Sequence, residues 1–410
     1  MKGIDTIGVL AYLVLCIFAI LNIYSVDEGL GTKQFIFFVL SLILWGVIFA
    51  IRYKFFENFA PIFYLGGVLL LLGLFPFGKE ILGQKNWYKI GSFTMQPVEF
   101  MKIGTALMLA NFVSNGSFTP TNSNIFKALI IIGIPATIVL AIPDVGSLLV
   151  FFAFAIALYR EGLNGRFFTT IGVFTIIFLI SIYLVVNNIN PLYEIIAIVL
   201  ISIFIITKNF RTLIKNIPIL GGIVVITIFL SGFVFFTPKI LEKLPKHQRE
   251  RVMVLYEGEM KYRDTSGYNL LYSKTAIGSG NIFGKGYREG SVTRGKFVPE
   301  QETDYIFCTV GEEWGFVGST ALILLYAFYI GRIYYLSEKQ KSIFNRIFGY
   351  SFASILLMHF GINIGMVIGL FPTVGIPLPY FSYGGSSLVA FSIMTAIFFK
   401  LDYTDRNALV

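Results

Sequence analysis

The chain is 410 residues long, 56% hydrophobic and only 13% charged, with a formal net charge of +9 and a mean hydropathy of +0.77. A soluble domain carries about a quarter charged residues, so this composition excludes disorder, a secreted disulfide scaffold and an ordinary cytosolic enzyme. The apolar runs are continuous rather than alternating, which argues for spanning helices and against a β-barrel.

Lys2 precedes the first apolar run, 7–26. That run is long enough to cross a bilayer and lacks a small-residue cleavage site, so it reads as a retained helix rather than a removed signal peptide. Further spanning candidates follow at 34–51, 59–77, 97–114, 125–142, 146–159, 167–187, 192–207, 218–237, 305–331, 347–370 and 385–400, twelve in all. The run 97–114 is weakened by Glu99 and Lys102, and 146–159 is short. With a cytoplasmic N-terminus, the even-numbered loops carry Arg52 and Lys54, Lys127, Arg160 and Arg166, then Lys208, Arg211 and Lys215, then Arg332, Lys339, Lys341 and Arg346, with Arg406 in the tail. This positive-inside bias places both termini inside. It leaves 238–303, a long charged stretch, outside as a large extracytoplasmic loop. A loop of that length is functional or disordered, and its scattered aromatics and turn signals favour function. The sequence contains no internal repeat and no low-complexity tract.

Cys16 and Cys308 both sit in apolar runs and read as small buried hydrophobes. His247 and His359 are the only histidines, which excludes a His-rich metal site. In Lys274–Gly286, glycines at 278, 280, 284 and 286 lie between two lysines. Such backbone either makes structural turns or lets amides approach an anion such as pyrophosphate. Asp304 stands at the mouth of the helix starting near 305. It is either an N-cap or a carboxylate poised at the membrane boundary as a general base. Glu300 and Glu302 stand nearby, and like charge makes a carboxylate a stronger base. Glu99 and Lys102, three apart, share one helix face. Charges inside a span face a bundle interior or a wet cavity, so this pair either locks helices together or faces substrate. Asp144, Glu312 and Glu313 are also near or within spans. In 371–387, three prolines and several glycines forbid a continuous helix. Such backbone at membrane depth is buried in protein or lines a cavity, and the hydroxyls of Ser382, Tyr383, Ser386 and Ser387 are available for a polar ligand. His359 and Asn363, one turn apart, read as an interhelical hydrogen-bond pair.

The stretch Gly375-Ile-Pro-Leu-Pro-Tyr-Phe-Ser-Tyr-Gly-Gly-Ser-Ser387 closely resembles the signature of the SEDS proteins (shape, elongation, division and sporulation). Four further blocks match in order: Trp87 with Gln96-Pro-Val-Glu-Phe-Met-Lys102; Pro143-Asp-Val-Gly-Ser147; His247-Gln-Arg-Glu-Arg251 with Gly267-Tyr268 and Ala276–Gly280; and Pro299–Phe307 with Gly311-Glu-Glu-Trp-Gly315. Phe283–Gly286 and Glu312–Phe316 look more like the elongation branch, RodA, than the division branch, FtsW. Departures are Glu302 where the family usually has His, Val98 for Ser, Asn281 for Gly and Ser147 for Thr.

The resemblance implies an all-α, polytopic helical bundle in the bacterial cytoplasmic membrane, one multi-span domain over 1–410. The family has ten spans, so 160–237 would hold a two-helix insertion. The implied activity is polymerisation of lipid II into glycan strands at the outer face during cell elongation, an inverting glycosyl transfer. The alternatives are a lipid II flippase or a non-catalytic scaffold of the elongation machinery. Asp304 occupies the family's essential aspartate position and would be the general base. Glu99, Lys102, Trp87, Arg249, Lys274, Ser382 and Ser386 would bind substrate, with Lys102, Arg249 and Lys274 as candidates to face the pyrophosphate. A divalent cation (Mg2+ or Mn2+), with ligands the sequence does not name, would be the cofactor. The expected partners are lipid II, a class B penicillin-binding protein that crosslinks the strands, and other elongation-machinery proteins, with no role for nucleic acid.

Overall fold

The computed structural model describes residues 3–81, 84–91, 93–115, 118–214 and 217–407. Lys2 and Lys215 lie outside the described residues. All twelve apolar runs are helical, because a segment in lipid must satisfy its backbone hydrogen bonds internally.

The chain packs as two compact units, residues 1–163 with 269–410, and residues 164–268. In the first, α1 (Thr6–Val26) and α2 (Glu28–Ala50) are separated by Asp27 alone. The Asp27 carboxylate caps α2 by accepting from the amides of Gly29 and Leu30. A short α3 (Lys54–Asn58) leads into α4 (Ala60–Leu72) and α5 (Leu74–Phe77). A small antiparallel sheet of β1 (Lys79–Ile81), β2 (Gln84–Ile90) and β3 (Phe93–Met95) follows, in the order β1-β2-β3, with Tyr88 opposite Met95. Proline then opens α6 (Pro97–Ser114) at a position that needs no amide.

The charges of α6 do not demote it. They mark a helix buried on nearly every face, with Glu99 and Lys102 inside the protein. Thr121 caps α7 (Asn122–Ala141). Asp144 caps α8 (Val145–Val150), which is followed by α9 (Ala153–Arg160).

The second unit holds α10 (Arg166–Val186), α11 (Leu192–Lys208), α12 (Phe210–Ile214), α13 (Ile217–Lys243), α14 (Lys246–Glu257) and a 3-10 turn at Glu259–Tyr262. Helix α13 runs through Pro238 to Lys243, so the long loop starts several residues later than the 238 read from hydropathy. Ser202 and Thr227 join α11 to α13 at 2.8 Å. Phe174 and Phe233, 4.6 Å between ring centres, pack α10 on α13.

The chain returns to the first unit through α15 (Tyr268–Ser279) and α16 (Ser291–Arg294). Three long helices complete it: α17 (Ile306–Glu338), α18 (Ile343–Val367) and α19 (Gly385–Asn407). Helix α17 is kinked at Gly315, whose φ is +64°. Helices α18 and α19 are the most buried of the long helices and form the centre of this unit. Since α17 starts beside Asp304 and α19 beside Gly385, the segments 280–305 and 371–384 gather at one end, where Trp87 and Thr94 of the sheet meet Glu302 and Tyr383. At the other end Arg160 pairs with Glu338, Arg346 with Glu161, and Arg332 and Arg406 with Asp5.

Candidate active site

The irregular segment 371–384 is the frame of the site. Pro372, Pro377 and Pro379 keep it out of a helix, and Gly375 holds a left-handed φ of +70°. Side chains from surrounding helices replace the missing ladder. Gln34 of α2 donates to the Ser382 carbonyl at 3.2 Å and accepts from the Gly384 amide at 3.3 Å. The Ser382 hydroxyl accepts from the Leu378 amide at 2.8 Å. The Tyr383 amide donates to the Glu302 carbonyl at 2.7 Å, which ties this segment to the approach of α17. Burial, with the Glu302 carboxylate beside it, pushes the Tyr383 phenol up and keeps it a neutral donor.

Asp304 lies on that approach and is half-buried. It is not the helix cap. The capping position of α17 is Tyr305, and no side chain caps it. The Asp304 carbonyl accepts from Asn363 Nδ2 at 2.8 Å. Its carboxylate lies against Gly375: a Cβ on that glycine would stand 3.2 Å from Asp304 Oδ2. The Tyr305 hydroxyl meets Thr373 Oγ1 at 2.8 Å and closes the contact from the other side.

Deeper in the bundle, Lys102 Nζ meets Glu99 Oε1 at 2.8 Å and His359 Nε2 at 2.7 Å. Lys102 and Glu99 are 1% and 2% exposed, so this is an interior ion pair. His359 Nδ1 meets the Pro377 carbonyl at 3.1 Å. Since a carbonyl only accepts, the proton sits on Nδ1, and Nε2 accepts from the lysine. His359 and Asn363 therefore do not pair with each other. Each reaches from α18 to the 371–384 segment, and on to Lys102 or Asp304.

The remaining expected residues divide. Trp87 on β2 lines a cavity of about 590 Å³ together with Tyr383, Glu300, Glu302, Lys33 and Ser386. Ser386 is nearly fully buried and its hydroxyl accepts from the Gln96 amide at 3.4 Å; Ser382 is likewise buried and spent on Leu378. Lys274 is exposed on α15 of the same unit. Arg249 is half-buried on α14 of the second unit.

Of the glycines in 278–286, Gly280 and Gly284 pack tightly against the backbone of α17, while Gly278 faces open space. The amides of Lys285 and Gly286 donate to the carbonyls of Glu312 and Glu313, both at 3.0 Å. A Cβ at Gly280 or Gly284 would collide with the carbonyls of Gly311 or Glu313. Lys285 itself is paired with Glu312 at 2.7 Å. Among the described residues, no three His, Cys, Asp or Glu side chains converge to hold a metal. A dedicated cage for Mg2+ or Mn2+ is not built from the described side chains. The contributions of Asn363, Gln34 and Glu312 carry no local sequence signal beyond a polar residue on an apolar helix.

A profile of the FtsW/RodA/SpoVE cell cycle proteins matches residues 2–194 and 187–407, together almost the whole chain. The chain belongs to this family, the SEDS proteins. The SEDS relatives include the peptidoglycan glycosyltransferase MrdB of Escherichia coli K12, 31% identical over 94% of this chain and 90% of that one. The peptidoglycan glycosyltransferase RodA of Treponema pallidum is 26% identical, over 90% and 89%. The SEDS fold is also that of a chain in a peptidoglycan synthase complex, with a TM-score of 0.72 at 22% identity over 99% of both chains. The crystal structure of the rod shape determining protein RodA of Thermus thermophilus gives 0.64 at 21%, over 98% of both. Of the SEDS signature blocks read from the sequence, Gln96–Lys102, Pro143–Ser147, Pro299–Phe307 and Gly375–Ser387 pack together within the first unit, around Asp304 and the Glu99–Lys102 pair.

Proposed function

We infer that this multi-pass membrane protein is a peptidoglycan glycosyltransferase that polymerises lipid II, with Asp304 as general base. The observation that carries the reading is the placement of one half-buried carboxylate against the glycine of the signature segment, at the end of the bundle where the irregular segments gather. The names of the relatives support the reaction class.

In this mechanism Asp304 takes the proton of the acceptor's GlcNAc 4-hydroxyl as its oxygen attacks C1 of the donor's MurNAc. The C1–oxygen bond to undecaprenyl pyrophosphate breaks with inversion, and the pyrophosphate leaves with the bonding pair. Lys274 is exposed and Lys102 is buried, so Lys274 is the more accessible of the two to the leaving anion. A divalent cation would enter as a companion of the pyrophosphate, since Mg2+ is commonly held by one or two carboxylates plus substrate phosphates. The cavity between Trp87 and Tyr383 suits neutral sugar: aromatic faces and carboxylates accept a pyranose, while Glu300 and Glu302 repel pyrophosphate.

The end carrying Asp304 faces the outside of the bacterial cytoplasmic membrane, and both termini are cytoplasmic. The cluster of Arg160, Arg332, Arg346 and Arg406 at the opposite end supports this orientation. The partner is a class B penicillin-binding protein within the elongation machinery, in keeping with the synthase complex of similar fold. The elongation role rests on Phe283–Gly286 and Glu312–Phe316.

The test is glycan-strand synthesis from purified lipid II by the chain co-purified with its transpeptidase, beside Asp304→Asn. Polymer from the native pair and none from the variant is the expected result. Polymer from both would keep the polymerase and discard the base. Polymer from neither, with the complex intact and divalent cation present, would favour a flippase or scaffold.

A further inference from the structure

Asn363 is fully buried on α18, and its single NH2 group spends both hydrogens on backbone carbonyls from two other segments. One goes to Asp304 at 2.8 Å, the other to Ile376 at 2.7 Å. These carbonyls flank the point where the Asp304 carboxylate meets Gly375. The amide therefore pins both sides of that contact at once. One turn earlier, His359 does the equivalent for Lys102 and Pro377. Since 376 and 377 are consecutive, two rungs of one rigid helix, about 6 Å apart along its axis, set the spacing between Asp304, the signature segment and the buried lysine.

We propose that Asn363 is a positioning residue for Asp304, holding the carboxylate at its reactive distance from the acceptor hydroxyl. The proposal rests on the reading of Asp304 as the base. Substrate has no need to touch Asn363 for this role. The physical reason is leverage: a displacement of about 1 Å in a reacting group costs on the order of a hundredfold in rate.

The experiment uses the full chain with its transpeptidase partner and measures initial lipid II coupling at varied substrate and pH. Asn363→Leu keeps the size and removes both donors. Asn363→Ser keeps one donor and guards against a leucine variant that does not fold. The melting temperature of each is recorded in detergent. The expected result is a kcat lowered about 10- to 100-fold in Asn363→Leu, less in Asn363→Ser, with KM within twofold of native. The acidic limb of the kcat–pH profile moves, because the environment of the base has changed.

A native kcat in both variants overturns the proposal. So does a loss that matches the folded fraction in each variant while the pH profile stays in place, since that is a purely structural role. Asp304→Asn in the same assay separates the two ideas. If it is dead while Asn363→Leu is native-like, the base stands and the positioning role falls. If it is active, the base reading falls and takes the positioning role with it.

Discussion

Lys102 of α6 and His359 of α18 meet at 2.7 Å inside the bundle, and the same ammonium reaches Glu99 at 2.8 Å. Breaking a buried pair by removing one partner costs about 3–5 kcal/mol, whereas removing both often costs little. Lys102→Met should therefore lower the melting temperature strongly. The double variant Glu99→Gln with Lys102→Met should recover most of it. If the double variant melts no higher than the single one, the pair is not what holds α6 in place.

Gly375 sits at a φ of +70°, and a Cβ there would press on Asp304 Oδ2. Gly375→Ala should cost about 1–2 kcal/mol of backbone strain and lower polymerisation at least tenfold, because the added methyl occupies space next to the base. Gly331→Ala is the control, since nothing lies within 4 Å of its Cβ position. It should leave activity unchanged. Coupling rates and melting curves of the two variants check this, and equal activity would show that the space beside Asp304 is not used.

Glu312 is fully buried and gathers Lys285 at 2.7 Å, the Val292 amide at 2.9 Å, and the Thr293 amide and hydroxyl at 2.8 and 2.7 Å. Gln301 then donates to the Thr293 carbonyl at 3.0 Å, three residues before Asp304. Glu312→Ala leaves those donors unsatisfied, at a cost of several kcal/mol by the same reasoning, on the order of 3–5. The segment 285–297 should become a site of rapid proteolysis while the spanning helices stay protected. Native resistance in that segment would contradict the hub role.

Asp27 accepts from the Leu30 amide and from Lys296 at 3.2 Å, which together hold its carboxyl below the ordinary carboxylate range. A depressed folded value means the contact stabilises fully above the ordinary carboxylate range and fades as pH falls through the folded value. Hydrogen-exchange protection at Gly29 and Leu30 should thus drop below about pH 4. In Asp27→Asn, which still caps α2 but has no charge for Lys296, protection should no longer change over that window. A native-like pH dependence in that variant would remove Asp27 as its source.

The contrast between Glu99 and Asn363 shows how much of the site could be read in advance. Glu99 and Lys102 are three apart on one helix, so their pairing is a property of the helix itself. Asn363 gave only the expectation of some interhelical bond. Its partners are residues 304 and 376, and nothing in the neighbouring sequence names them. The same holds for the glycines between 278 and 286. Their number signalled that backbone would approach something closely, but an anion and the kinked α17 are equivalent on that evidence.

Spanning helices follow from sequence because the bilayer makes backbone satisfaction local: each apolar run bonds to itself four residues away. All twelve runs are helical, but among the described residues only nine helices are long and apolar enough to cross a membrane; 97–114, 146–159 and 192–207 are not among them. Glu99 and Lys102 were legible as candidates because a charge in an apolar run is costly enough to be conspicuous, and Asp304 because it stands at a helix mouth within a motif block that resembles the family's. Which buried donor meets which carbonyl was decided only when α6, α17, α18 and the 371–384 segment packed together. Those partners are distant in sequence, and a hydrogen bond of fixed length exists only where the tertiary structure brings both ends into reach.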